Sequence, residues 1–310
     1  MPEQKKRKKR RRSKKKIRRI KKTVTIVAVL ILVILGILFG KDALTKPGPT
    51  VEPVSGGEVQ FHFIDVGQGD AALIRTAEGN ILIDASTGEA EDQLKAYLDS
   101  LGIQDIEYAV FTHPHEDHIG GADMVLLNYH VENVVLPDKT HTSKTFEKMM
   151  DAIEKQDCHV VRAEPDKTFK VGEVTFTILA PIRDDYEEMN DHSVVLRADY
   201  GSTSVLFTGD AELISEEDMM RRYGTAAGGM LDCDLIKVGH HGSDTSSGKA
   251  FLEAVTPDYG VISCGKGNTY GHPLQSILKR YESHGVTLYR TDLEGNIVFV
   301  TTGEEPFLKR

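Results

Sequence analysis

The chain has 310 residues, 40% of them hydrophobic, which is enough for a real core and for one large or two small domains. Its three cysteines, Cys158, Cys233 and Cys264, show no CxxC spacing and cannot all pair within the chain; free, mostly buried thiols are expected, with one disulfide at most. The formal net charge of -9 hides an asymmetry: fifteen of the 38 basic and one of the 47 acidic residues fall in residues 1–40, leaving +14 there and -23 on the rest. So acidic a remainder repels polyanions, which excludes strong non-specific nucleic-acid binding unless Lys237, Lys249, Lys266 and Arg290 form a local basic groove.

In chain order, residues 1–22 read as a basic cytoplasmic tail, suited to setting orientation and meeting anionic lipid. Residues 23–40 carry no charge and as a helix would measure about 27 Å, just able to span a hydrocarbon core. A cleaved signal peptide is the rival reading, but the apolar run is long for that role and no clear Ala-x-Ala site follows. The expectation is a single-pass cell-membrane protein with its N-terminus cytoplasmic and the remainder outside. One candidate span is too few for a transport channel by itself. Residues 41–57, with Pro47, Pro49, Pro53 and several glycines, read as a linker.

Residues 58–310 alternate short apolar runs with amphipathic ones. Strands are expected at 59–64, 71–75, 80–83, 106–111, 133–136, 159–162 and 174–179, then at 193–199, 204–207, 235–238, 259–263, 286–289 and 296–300. Helices are expected at 93–101, 122–129, 145–155, 212–222 and 274–284. The alternation suggests two sheets covered by helices in one α/β domain.

The run His113-Pro114-His115-Glu116-Asp117-His118 follows the apolar stretch Tyr108 to Phe111. Three imidazoles and two carboxylates at a strand end point to a transition-metal site. His113 and His115, two apart, point the same way on extended chain and can grip one ion. Asp117 and His118 can face a second ion if the chain turns, and Gly120-Gly121 permits tight backbone after them. Further ligands are offered at later strand ends: Asp210 after Phe207-Thr-Gly, His240 after Leu235-Ile-Lys-Val-Gly, and His192 opening a strand.

Taken together, Thr112-His-Pro-His-Glu-Asp-His118, Thr208-Gly-Asp210 and Gly239-His-His-Gly-Ser243 resemble the metallo-β-lactamase superfamily of two-metal hydrolases. Phe63-Ile-Asp-Val-Gly-Gln-Gly-Asp70, Ile81-Leu-Ile-Asp-Ala85, Asn190-Asp-His-Ser-Val-Val-Leu196 and Tyr270-Gly-His-Pro273 resemble, more narrowly, the hydrolase domain of the competence proteins (ComEC) used in DNA uptake. The resemblance implies an αββα sandwich with metals at one edge of the sheets. It implies that His113, His115 and His192 hold one ion, that Asp117, His118 and His240 hold the other, and that Asp210 bridges them. Asp84 would support the ligand loop from behind.

Two divalent cations are implied, Zn²⁺ with these His-rich ligands or else Mn²⁺, lowering the pKa of a shared water. Asp117 and Asp210 would hold the ions and orient that water. His241, Ser243, Ser246 and His272 are the candidates for contacting an anionic substrate, while Asp65, Gln68 and Asp70 lie in a Gly-rich turn resembling a rim loop, where Asp70 can equally cap backbone amides. The expected function is an extracytoplasmic phosphodiesterase or nuclease-like enzyme. The alternatives are an amide, lactam, lactone or thioester hydrolase, and a non-catalytic surface or competence-related component.

Overall fold

Strands form here because apolar residues alternate in direction: along Ala72–Arg75 and Asn80–Ile83, Ile74, Ile81 and Ile83 face one core while Leu73 and Leu82 face another. A sheet whose two faces both carry apolar side chains must be covered on both. In the computed structural model, which describes residues 54–304 and 307–310, that covering is a second sheet on one side and helices on the other. The basic tail, the apolar segment 23–40 and the linker as far as residue 53 lie outside the described residues, among which no helix is long and apolar enough to cross a membrane.

The first sheet contains β1 (Val59–Phe63), β2 (Ala72–Arg75), β3 (Asn80–Ile83), β4 (Asp105–Val110), β5 (His130–Leu136) and β6 (His159–Arg162). The second contains β7 (Thr168–Val171), β8 (Val174–Ala180), β9 (Val195–Tyr200), β10 (Thr203–Phe207), β11 (Leu235–Lys237), β12 (Tyr259–Ile262) and β13 (Thr287–Arg290). The chain then returns to the first sheet as β14 (Ile297–Thr301) and β15 (Leu308–Lys309), giving the orders β15-β14-β1-β2-β3-β4-β5-β6 and β13-β12-β11-β10-β9-β8-β7. Both sheets are mixed: β3 to β6 run parallel, as do β10 to β13, with antiparallel strands beside them.

Phe61, Phe63, Phe207 and Phe299 fill the space between the sheets; Phe63 stacks on Phe207 at 5.8 Å. Helices α1 (Glu91–Ser100), α2 (Glu116–Ile119), α3 (Ala122–Asn128) and α4 (Lys144–Gln156) cover the first sheet through Leu94, Leu98, Ile119, Leu126 and Ile153. On the second sheet, α5 (Leu213–Tyr223), α6 (Lys249–Val255) and α7 (Gln275–Ser283) pack Met219, Phe251, Leu252 and Tyr281 against Leu206 and Ile236. Burying a Leu or Phe this way contributes about 1.5–3 kcal/mol each. The helix–sheet–sheet–helix layering agrees with the expected α/β sandwich.

The differences are local. Strand β7 and helix α6 were not expected: β7 is only four residues of mixed exposure, and α6 begins after Gly248 without a side-chain cap, so neither carries a strong sequence signal. His192 does not open a strand. It ends a 3₁₀ turn, Met189–His192, and β9 begins at Val195. The three cysteines are free thiols, Cys233 and Cys264 buried, and burial pushes Cys264 up to about 12.

Candidate metal centre

The parallel strands β3, β4, β10 and β11 deliver polar residues to one edge of the sandwich, the carboxyl-end position where α/β sheets place ligands. Asp84 follows β3, Thr112 and His113 follow β4, Asp210 follows β10, and the 3₁₀ turn Gly239–Gly242 follows β11. The ligand loop docks on its neighbours through backbone: Asp70 N–H donates to Asp117 O at 3.0 Å and Gly120 N–H to Ser86 O at 2.7 Å. These approaches need glycine. A Cβ on Gly69, whose φ is +148°, would lie 2.5 Å from Asp117 O.

His113 and His115 form the first nest. His113 Nε2 faces His115 Nδ1 at 3.1 Å, close to the edge of about 3.3 Å that two nitrogens make on a tetrahedral ion with bonds of about 2.0 Å. Thr112 Oγ1 and Ser193 Oγ lie 3.2 and 3.3 Å from His113 Nδ1, fixing the ring from behind. Burial, and then the charge of His118, holds the His113 imidazole well below its usual range, so it is a neutral ring with a free lone pair.

The second nest has the same spacing. His118 Nε2 is 3.3 Å from Asp210 Oδ2, while His241 Nε2 is 3.5 Å from that oxygen and 3.4 Å from Asp117 Oδ2. Each imidazole is aimed by its other nitrogen: His118 Nδ1 meets Asp84 Oδ2 at 2.8 Å, and His241 Nδ1 meets Ser263 O at 2.9 Å. Asp84 is itself held by Thr112, whose N–H and Oγ1 donate to its two oxygens at 2.7 and 2.8 Å. The two nests adjoin, with the His113 and His118 rings 4.1 Å apart.

Electrostatics point to a cation. Burial opposes the charge on Asp210, but His241 and His118 overcome it and hold the carboxyl well below the usual carboxylate range. Burial likewise disfavours charge on Asp117 and is outweighed by His118 and His241. Burial would lower His118, yet Asp210, Asp84 and Asp117 raise it well above its ordinary value. In this arrangement the imidazoles carry the positive charge that so many converging acids require. His118 Nε2, His241 Nε2 and Asp210 Oδ1 are buried without a hydrogen-bond partner among the described residues, the condition a bound cation relieves. The donor set therefore fits divalent metal.

One ligand atom each from Asp70, His118, Asp210 and His241 falls within 4.8 Å of the others. Their directions separate them. Asp210 lies on the Nε2 side of both rings, whereas Asp70 lies on the Nδ1 side, 3.9 Å from His118 and 3.7 Å from His241, and is paired with Lys237 Nζ at 2.7 Å. Asp70 therefore sits behind the imidazoles, as a countercharge.

Several expected site residues stand elsewhere. His241, 1% exposed, is the imidazole brought to Asp117 and Asp210 at depth. His240 lies 3.6 Å from Asp210 at the rim, with Nδ1 against Thr245 Oγ1 at 2.8 Å and Glu212 Oε1 at 3.2 Å. Both residues are left-handed (φ 46° and 51°), and this backbone, rather than strand alternation, turns the second ring inward. His192 does not join His113 and His115: its Nε2 pairs with Tyr186 O at 3.1 Å, its ring packs on Tyr186, and it lines a separate cavity with Lys139 and Arg183.

Ser243 and Ser246 are buried turn residues rather than substrate contacts. Ser246 Oγ donates to Gly239 O at 2.9 Å, and Ser243 Oγ lies 3.0 Å from Thr245 Oγ1. Asp65 caps its own turn, with Oδ1 accepting from Gly67 N–H at 3.2 Å. Lys237 is buried against Asp70, while Lys249 and Arg290 pair with Glu253 and Asp292, so these do not form a basic groove.

The nests floor an open cleft of about 620 Å³ lined in part by His115, Asp117, Asp210, His240, His241 and His272. Sequence reasoning missed His141 on its walls and gave Tyr270, quoted only within a motif, no role. His141 lies 6.1 Å ring to ring from His115, and its Nδ1 accepts from Ser143 N–H at 3.3 Å, placing the proton of the neutral ring on Nε2. The signal for it was Ser143, which caps α4 by accepting from Phe146 N–H and so fixes the loop.

Comparison with known proteins agrees with this geometry. Residues 64–266 match the model of the metallo-beta-lactamase superfamily. ComE operon protein 3 of Bacillus subtilis is 28% identical over 267 residues, covering 80% of this chain and 34% of that protein. Competence protein ComA of Neisseria gonorrhoeae is 31% identical over 249 residues, covering 80% and 33%. The chain thus spans about a third of the length of these curated relatives. The metallo-beta-lactamase fold protein YhfI of Bacillus subtilis superposes with a TM-score of 0.53 at 13% identity, over 78% of this chain and 100% of that one, which shows the fold alone. The layered sheets, the ligand-bearing edge and the matched region together establish that this chain belongs to the metallo-beta-lactamase superfamily.

Proposed function

We propose that this chain is a dinuclear metal-dependent hydrolase that cleaves phosphodiesters. The observation that carries the reading is the pair of adjoining nests, one with its facing nitrogens 3.1 Å apart and the other with donor atoms 3.3–3.5 Å apart, at the floor of an open cleft. His113 and His115 would hold one ion; Asp117, His118 and His241 would hold the other; Asp210, with an unpaired Oδ1 beside its Oδ2, would lie between them. Bound there, two divalent cations, Zn²⁺ or Mn²⁺, supply the Lewis acidity that lowers the pKa of a water and stabilises charge developing on a phosphoryl oxygen.

The chain's own groups complete the chemistry. Asp117 and Asp210 orient the attacking water, and His141 presents an Nε2 proton at the cleft wall for a leaving oxygen. No side-chain nucleophile is called for: Ser243 and Ser246 are buried and engaged. Kinship with competence proteins supports a phosphodiester over an amide or lactam. The uncharged segment 23–40 and the basic run before it support a membrane anchor with the domain outside.

The test is metal content paired with turnover. Purified protein loaded with Zn²⁺ or Mn²⁺ is expected to bind two equivalents and to hydrolyse bis(p-nitrophenyl) phosphate faster than a chromogenic β-lactam, losing the activity on His115→Ala. Two equivalents of metal with β-lactam turnover alone would replace the phosphodiester by an amide substrate.

A further inference from the structure

Among the described residues lining the cleft none is a lysine or an arginine. Its walls are imidazoles, amides such as Gln68 and Asn190, hydroxyls and one phenol, and apart from the imidazoles its ionisable side chains are carboxylates, including Glu116 and Asp117. Several basic residues near the cleft are engaged: Lys237 with Asp70, Arg290 with Asp292, Lys139 with Asp184 O, and Arg280 through hydrogen bonds to Ser246 O and Ser247 O, while Lys144, next to Ser143, is exposed and outside the lining. Lys266 is exposed on the 264–273 loop but is not part of the lining. A groove that follows a nucleic-acid backbone needs a cation for each phosphate it holds. Within its lining, cationic attraction would come from the metal floor, enough for one phosphate.

Tyr270 adds a second element. It is 66% exposed although it lines the cleft, and its ring stacks on His272 with centroids 5.8 Å apart and planes 23° from parallel. The loop that presents it is tied by Asn268, whose Nδ2 donates to His272 O at 2.6 Å and whose Oδ1 accepts from His272 N–H at 3.1 Å. His272 in turn packs edge-on against His240, 5.7 Å away, linking this shelf to the rim of the metal centre. An aromatic face held open in a cleft gives a planar ring something to stack on.

We infer that the substrate is a short phosphodiester, one bridging phosphate seated at the metal floor with a planar ring on Tyr270, and not a length of polyanionic strand. This rests on the phosphodiesterase reading above. The reaction is hydrolysis: the water oxygen bonds to phosphorus, one ester P–O bond breaks, and a proton ends on the departing oxygen, giving an alcohol and a phosphomonoester.

The full-length chain, solubilised in detergent and loaded with Mn²⁺, is assayed on the dinucleotide thymidylyl-thymidine, on oligothymidylate of about 20 nucleotides, on a duplex of that length and on the ring-free diester glycerophosphoglycerol. The expected result is a kcat/KM for the dinucleotide at least equal, per phosphodiester, to that of the long strands, nearly constant from about 50 to about 200 mM salt. Tyr270→Ala should raise KM for the dinucleotide roughly tenfold more than for glycerophosphoglycerol with kcat little changed, and Tyr270→Phe should restore it. A kcat/KM that climbs tenfold or more with strand length and collapses with salt overturns the inference, as does a dinucleotide KM indifferent to Tyr270→Ala. If the loaded protein cleaves none of the four, the phosphodiesterase reading itself falls, and this inference with it.

Discussion

Asp84 Oδ2 accepts from His118 Nδ1 at 2.8 Å, and that bond fixes which nitrogen of His118 is left for an ion. Asp84 is left-handed (φ 59°) and 1% exposed, so the fold maintains an unfavourable backbone and a buried acid at this point. Burial raises its pKa and His118 pulls it back. Asp84→Asn should weaken metal binding by about 10- to 100-fold, read by chelator competition, while the far-UV spectrum is retained. Unchanged affinity would remove Asp84 from its supporting role.

Adjacent histidines offer a sharper test. His241→Ala should reduce bound metal from two equivalents to one by elemental analysis, because it removes the imidazole facing both Asp117 and Asp210. His240→Ala should keep both ions, since its ring is anchored to Thr245 and Glu212 at the rim. The reverse pattern would restore His240 as the ligand.

Much of the site was legible in the chain. His113 to His118 could be read because a strand feeds them and their types suit a metal, Asp210 because it ends an apolar strand, and Asp84 through the family resemblance. What sequence could not show was orientation after a turn. Nothing in Gly239-His240-His241-Gly242 says that two successive left-handed residues will exchange the expected inward and outward rings. Lys237 read as a surface cation because buried lysine is rare, and its burial depends on Asp70, far away in sequence. His192 read as a ligand by its place in a motif, but the 3₁₀ turn carries it to Tyr186.

Lys237→Met should cost about 3–5 kcal/mol in urea unfolding, because it strands a buried carboxylate, and the double variant with Asp70→Asn should recover part of that loss. Additive effects would mean that the pair is not coupled.

Gly69→Ala should displace the ligand loop, since the new Cβ meets Asp117 O at 2.5 Å and backbone cannot move aside cheaply. A loss of about 1–3 kcal/mol in stability is expected, with weakened metal binding. Ala at Gly67, where a Cβ meets nothing within 4 Å, is the control that carries the positive-φ penalty without the clash.

Glu216 supplies a pH dependence distant from the ligands. Its two oxygens accept from Ser247 and Gly248 N–H at 2.5 and 2.8 Å, and burial raises its pKa from 4.5 to about 7. Because the folded value lies above the unfolded one, its contribution is full below pH 4.5 and is lost as pH rises through about 7. The stability of the wild type relative to Glu216→Gln should therefore fall by up to roughly 3 kcal/mol between pH 5 and pH 8, measured by urea melts. A pH-independent difference would show that Glu216 is ionised throughout.

The candidate ligands come from both sheets: His113 to His118 follow β4 of the first, and Asp210 and His241 follow β10 and β11 of the second. An ion shared among them would act as a clasp on the edge of the sandwich, so that opening the two halves and releasing metal would become a single event. Metal supply would then govern how long the domain resists proteolysis as well as whether it turns over.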